Sequence, residues 1–276
     1  MKYYLYIFLI ACCGNTFAGQ MNAVPSCYSK QLAAPSQPVE TEFFLVIDQT
    51  TSFSDVLKQS IADNVRHFIQ PNYAFSVSQF SAFTQDHYTD VLVSGKLDAE
   101  LNQSARNDVS KPILTKFDHC MSSEKNLAAQ YLGAAMKSAF ANSSGKIAKS
   151  DVFSSLKAIS SMVKQSKANR KVVLIASDML ENSSISSFYA KQAVRNISPE
   201  KELAIVEKNQ LLGDFGKAEI YVMGAGLLSN DSKQAKNAYR SPQIMQSLFG
   251  FWKAWFQKSN ADLIEFGQPA LLNAVK

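Results

Sequence analysis

The sequence lacks the common catalytic signatures. It has no GxSxG elbow, HExxH pair, P-loop or GxGxxG, which removes the motif-level case for a serine hydrolase, a zinc protease or a nucleotide enzyme. Gly224-Ala225-Gly226 lacks the third glycine and follows an apolar run late in the chain, so it reads as a strand-exit turn. The three histidines, His67, His87 and His119, have no metal-type spacing and read as ordinary packed or surface residues. None of the four cysteines forms a CxxC, which argues against a zinc ribbon or a thioredoxin-type site. Eleven glycines and eight prolines are too few for collagen-like or low-complexity sequence. Charged residues make up 18%, too little for a disordered chain. The net charge of +5 is scattered rather than clustered with aromatics, so no nucleic-acid partner is expected.

What is present is enough apolar sequence, 46% of 276 residues, for one large domain with extensions. Residues 1–18 (MKYYLYIFLIACCGNTFA) have a basic start, an apolar stretch shorter than the ~20 residues a membrane span needs, and small residues at Thr16 and Ala18. They read as a signal peptide cleaved after Ala18. The alternative is Leu9-Ile10-Ala11-Cys12, which resembles a lipobox and would place a lipid anchor on Cys12. Either way an exported protein, periplasmic or secreted, is expected. No later run reaches ~18 apolar residues, so no transmembrane helix is expected in the mature chain. Residues 19–40 hold three prolines and no periodicity, the mark of a linker or surface-hugging arm. Cys27 and Cys120 are the cysteines left after cleavage. They form either one disulfide, which would pin the arm, or two free thiols.

Periodicity gives the element order. Glu42–Ile47, Lys171–Ala176 and Ala218–Met223 are short runs apolar on both faces, which suits buried parallel strands. Residues 73–83 and 87–93 alternate as two further strands, and Asp262–Phe266 is a last one. Helices are expected over 52–69, 127–140, 151–163 and 241–258, with 185–212 mainly helical and 94–124 giving no clear pattern. The aromatics at 249–256 read as a core-facing helix. Alternating strands and helices imply an α/β fold, a doubly wound, mostly parallel sheet flanked by helices. Ligands of such sheets bind beyond the carboxyl ends of the strands, where strand order reverses. Asp48 and Asp178 each follow an apolar strand and so belong on that rim.

Asp48-Gln49-Thr50-Thr51-Ser52 leads from a buried strand toward a helix through one carboxylate and three hydroxyls. Alternate side chains of an extended turn converge, and hard divalent cations take such oxygens. Ser52 has a second reading as a helix N-cap with Asp55 as its capping-box partner. With these residues the chain resembles the von Willebrand factor type A (vWA) domain. That family's metal-dependent adhesion site opens with Asp-x-Ser-x-Ser, and Asp48-x-Thr50-x-Ser52 is similar to it. Ser150-Asp151-Val152-Phe153-Ser154-Ser155-Leu156 resembles the family's second element, with Ser150 in the Thr position, and Ser177-Asp178-Met179 resembles its Ser-Asp-Gly. Met179 stands in the glycine position, which argues against a tight turn there. The resemblance covers residues 41–270, with an insertion over 94–149 and a short tail at 271–276.

The resemblance implies a Mg²⁺ or Mn²⁺ site formed by Asp48, Thr50, Ser52, Ser150 and Asp178. It also implies a protein partner that offers an acidic side chain to the metal. The expected function is an exported, non-enzymatic, adhesion-type binding module. The alternative is a metal-independent structural subunit of a cell-envelope assembly. A cation-dependent hydrolase ranks below both, because no general base is evident near the proposed ligands.

Overall fold

The computed structural model describes residues 19–84, 87–143, 150–190, 193–228 and 241–276. The proposed signal peptide, the lipobox cysteine and part of the 94–149 insertion lie outside the described residues. The central sheet contains β1 (Thr41–Asp48), β2 (Tyr73–Thr84), β3 (His87–Lys96), β4 (Arg170–Ala176), β7 (Ala218–Met223) and β8 (Ala261–Phe266), in the order β3-β2-β1-β4-β7-β8. Only the β2–β3 pairing is antiparallel. This is the doubly wound α/β fold expected from the alternation. The order reverses between β1 and β4, and their register brings Ile47 opposite Ala176. Asp48 and Asp178 therefore leave the sheet side by side at its switch point.

The apolar runs are buried on both faces because each face carries its own core. Phe44, Val46, Val173, Ile175, Ile220 and Val222 face one cluster. It is closed by α4 (Val152–Gln165), α5 (Pro199–Lys208) and α6 (Pro242–Lys258). The alternate residues Phe43, Leu45, Ile47, Val172, Leu174 and Met223 face the other cluster, under α1 (Asp55–Arg66) and α3 (Lys111–Asn142). Trp252, Trp255, Phe251 and Phe256 are fully buried, so the aromatic run faces the core as expected.

Two expectations need correction, and one region without a clear pattern takes shape. Helix α1 begins at Asp55, not near residue 52, and Ser54 caps it by accepting from Leu57 N at 3.3 Å. Ser54 supplies the early hydrogen bond that Ser52 was read as giving. The 94–124 region is the short helix α2 (Gln103–Asn107) followed by the first half of the 32-residue α3. The 185–212 region is helical only over α5; before it comes a hairpin of β5 (Tyr189–Ala190) and β6 (Ala193–Val194).

The arm lies along the outer edge of β3. Gln20 N donates to Leu92 O, Ser94 N to Gln20 O and Ala23 N to Ser94 O. Cys27 and Cys120 are joined by a disulfide with Cα atoms 5.6 Å apart, so the bridge alternative holds and the arm is tied to α3. Replacing both cysteines with serine should lower the unfolding free energy by ~4 kcal/mol, the chain-entropy value for so long a loop. Urea titration measures this, and a loss near zero would mean that the hydrogen bonds alone hold the arm.

Candidate metal centre

The rim is built around one buried carboxylate. Asp48 is fully buried, and both of its oxygens are occupied. Oδ1 accepts from Thr50 N at 2.8 Å and Thr50 Oγ1 at 2.6 Å; Oδ2 accepts from Thr51 Oγ1 at 3.1 Å and Ser177 Oγ at 2.7 Å. These donors come from the exits of β1 and β4. A buried charge left unpaired costs several kcal/mol, so the hydroxyl-rich sequence at both exits is what lets an acid sit there.

The second acid is reached through the same hydroxyls. Thr51 Oγ1 accepts from Asp178 N at 3.1 Å, and Ser177 Oγ accepts from Met179 N at 2.9 Å. Asp178 Oδ1 takes Leu180 N at 2.9 Å, and among the described residues Oδ2 takes a long bond, 3.3 Å, from the Tyr189 hydroxyl. Burial pushes the Asp48 carboxyl above its ordinary range despite its four donors. Asp178 is pushed up further, by burial first and then by the Asp48 charge. The two acids thus share a site that disfavours two negative charges.

Ser150 arrives from the α4 side. Thr50 Oγ1 lies 3.1 Å from Ser150 Oγ. Paired backbone bonds, Ser150 N to Asn182 O at 3.2 Å and Asn182 N to Ser150 O at 2.8 Å, fix its loop against the one that carries Asp178. A hydroxyl has one hydrogen. The shorter contact gives that of Thr50 to Asp48, which leaves a Thr50 lone pair facing Ser150. The structure brings Asp48, Thr50, Ser150 and Asp178 together, four of the five residues that the vWA resemblance names. Ser52 is exposed, and among the described residues no hydrogen bond joins it to the other four.

The turn after Asp178 forms although glycine is absent. Met179 takes φ 58° and is fully buried, and its carbonyl accepts from Trp252 Nε1 at 2.9 Å. Gly224 at φ 104° and Gly226 at φ 70° make the facing strand-exit turn, and Gly226 N donates to Asp178 O at 2.7 Å. A Cβ on Gly224 would stand 3.0 Å from Ser177 O, so the close approach needs glycine.

Sequence reasoning missed four residues. Thr51 and Ser177 sit inside the quoted motifs but fall between the alternate positions taken as ligands. Tyr189 lies in the stretch expected to be helical. Glu181 is fully buried, and its Oε2 accepts from Phe153 N at 3.0 Å at the entry to α4. Burial pushes its carboxyl up to about 8. No local pattern announces a carboxylate whose partner lies so far along the chain.

The donor set is two carboxylates and neutral hydroxyls, all oxygen. That chemistry fits a hard divalent cation and does not fit a thiophilic one. The sequence matches no protein-family model and no curated protein. Two solved structures of the pilus adhesin SpaC from Lactobacillus rhamnosus GG are similar in part, each at 11% identity. One aligns over 83% of this chain with a TM-score of 0.38, and the other, in an open conformation, over 80% with 0.35. The match spans 31% of each SpaC chain. A likeness this slight assigns no function, and the site must be read from its own residues.

Thr50→Val should cost about 1–3 kcal/mol in urea unfolding, because it strips a charged buried acceptor of one donor. A loss below ~0.5 kcal/mol would mean that the Asp48 network is not under tension. Met179→Gly tests the turn. Relieving the left-handed backbone returns about 1–2 kcal/mol, while deleting a buried Met side chain costs about 2–5 kcal/mol. The net change should be destabilising, and a stabilised variant would mean that the turn strain dominates.

Proposed function

We propose that this protein is an exported binding module of the vWA type that holds Mg²⁺ or Mn²⁺ at the switch point of its sheet and meets a protein partner there. The observation that carries the reading is the meeting of Asp48, Thr50, Ser150 and Asp178 from three separate loops, with Thr50 Oγ1 linking Asp48 to Ser150 and Thr51 Oγ1 linking Asp48 to Asp178. Asp178, whose Oδ2 accepts a long bond from Tyr189, would supply charge to the cation. Thr50 and Ser150 offer neutral oxygens, and Asp48 acts mainly by orienting the hydroxyls. Ser52, open to solvent in the β1–α1 loop, joins only if that loop draws inward. The cation itself supplies Lewis acidity toward an incoming carboxylate, so a partner with an exposed Asp or Glu fits. Nothing in this reading requires turnover, and the module acts as a binder rather than an enzyme.

A second reading has its own support. Four donors already satisfy Asp48, as a purely structural acid would require. The protein would then be a metal-independent subunit of an envelope assembly.

Melting curves with and without divalent ions separate the two. Millimolar Mg²⁺ or Mn²⁺ should raise the melting temperature of the wild type by binding the folded state alone. Asp178→Asn should abolish the rise, and Ser150→Ala should weaken it. Capture of a partner from native envelope should require the cation and fail with chelator. An unchanged wild-type melting curve would favour the structural subunit.

A further inference from the structure

A second pair of acids sits at the opposite end of the sheet. β3 ends at Lys96, paired with Ala74 at the start of β2, and Asp98 follows. Asp98 Oδ2 accepts from two groups of the arm, Ser26 Oγ at 2.6 Å and Cys27 N at 2.7 Å. Asp98 N in turn donates to Glu124 Oε2 at 3.1 Å. Glu124 is the charged residue within the buried stripe of α3 otherwise made by Phe117, Ala128, Leu132, Ala135 and Ala139. It lies one helical turn past Cys120, whose disulfide to Cys27 enters the same place.

One oxygen there is unaccounted for. Glu124 is 3% exposed, and among the described residues its buried Oε1 has no hydrogen-bond partner. Ligand-type atoms of Cys27, Asp98 and Glu124 lie within 4.8 Å of one another. The Cys27 sulfur is committed to the disulfide, so the group does not offer a thiolate to a metal. Two ionised carboxylates in this place would repel each other, and one oxygen would be desolvated with nothing in return.

We propose that Glu124 Oε1 carries a proton which it donates to Asp98, and that this shared proton latches the N-terminal arm onto α3. The protonated carboxyl satisfies the orphaned oxygen. It also leaves Asp98 as the single negative charge that holds Ser26 and Cys27. Burial, then the Asp98 charge, pushes Glu124 up to about 7. The other groups that face the pair do not offset this. Lys96 at the β3 exit is exposed, as are Asp118 and Lys125 on α3. The Tyr28 phenol of the arm, pushed up to about 12, stays neutral and donates to Ala99 O at 2.6 Å.

The sign follows. A Glu124 opened to solvent would titrate near its ordinary 4.5, whereas burial with the arm docked pushes it up to about 7. Docking therefore holds a proton between these values. Its contribution is complete below the lower value and is lost as pH rises through the upper one. The disulfide keeps Cys27 attached throughout, so loosening falls on the hydrogen-bonded segments on either side.

Hydrogen-exchange protection factors of residues 19–38, measured on the whole exported chain, test the proposal, since they divide out the intrinsic effect of pH. Wild-type protection should fall roughly tenfold for each pH unit between about 5 and 7, the slope of one linked proton, and level off by pH 8. Glu124→Gln, whose amide reproduces the donor and acceptor of the protonated carboxyl, should keep its protection. In the wild type the Glu124 carboxyl carbon should titrate by NMR near 7. A midpoint below ~5, the range of an unperturbed Glu, overturns the proposal. So does protection that does not change with pH, or one that falls equally in Glu124→Gln. Restoration of wild-type protection at pH 8 by Ca²⁺ or Zn²⁺ would make the pair a cation site and overturn the proton.

Discussion

The carboxylate of Asp48 is the constraint around which the rim is arranged. A charge buried at the end of a central strand is stable only if donors surround it, and four do. Meeting that demand draws together the exits of β1 and β4 and, through Thr50, the entry to α4. The doubly wound topology makes this possible, because β1 and β4 are neighbours with nothing between their carboxyl ends. Behind them, Trp252 clamps the Met179 carbonyl, so the aromatic core on one face of the sheet holds the loop that presents Asp178.

The molecule carries two buried acid pairs, and their surroundings differ in kind. At the rim, the hydroxyls of Thr50, Thr51, Ser177 and Tyr189 surround the two carboxylates with neutral oxygens. Beneath the arm, Asp98 is matched to backbone and serine donors, and Glu124 is enclosed by an apolar helix face. The first arrangement suits a cation and the second a proton. In both, the cost of enclosing two like charges is held down by limiting how many are ionised together.

Much of the fold was legible because buried parallel strands write themselves as continuous apolar runs. Glu42–Ile47 and Lys171–Ala176 gave their strands within a residue or so, and the acids that follow them marked the rim. The 94–124 stretch was not legible for a physical reason. Up to residue 124 the buried face of α3 is Phe117 and Glu124, too few apolar positions for hydrophobic periodicity to show. The hairpin of Tyr189–Val194 failed similarly, since two-residue strands have no periodicity to read. Within the site, alternation selected Thr50 and passed over Thr51, although both donate to Asp48. The apolar Met179 argued against a turn that burial of its own side chain sustains.

The arm has a further consequence for how the protein keeps to itself. β3 is the outer strand of the sheet, and unpaired backbone on such a strand is a template for another chain. By bonding to Leu92 and Ser94, residues 20–23 occupy part of that template. The disulfide keeps the guard within reach even when its hydrogen bonds break. A crowded compartment full of extended polypeptides would reward this, because an open edge there recruits strands without regard to their sequence. The covalent tie at Cys27 thus keeps the cover over this part of the edge close to the strand it bonds.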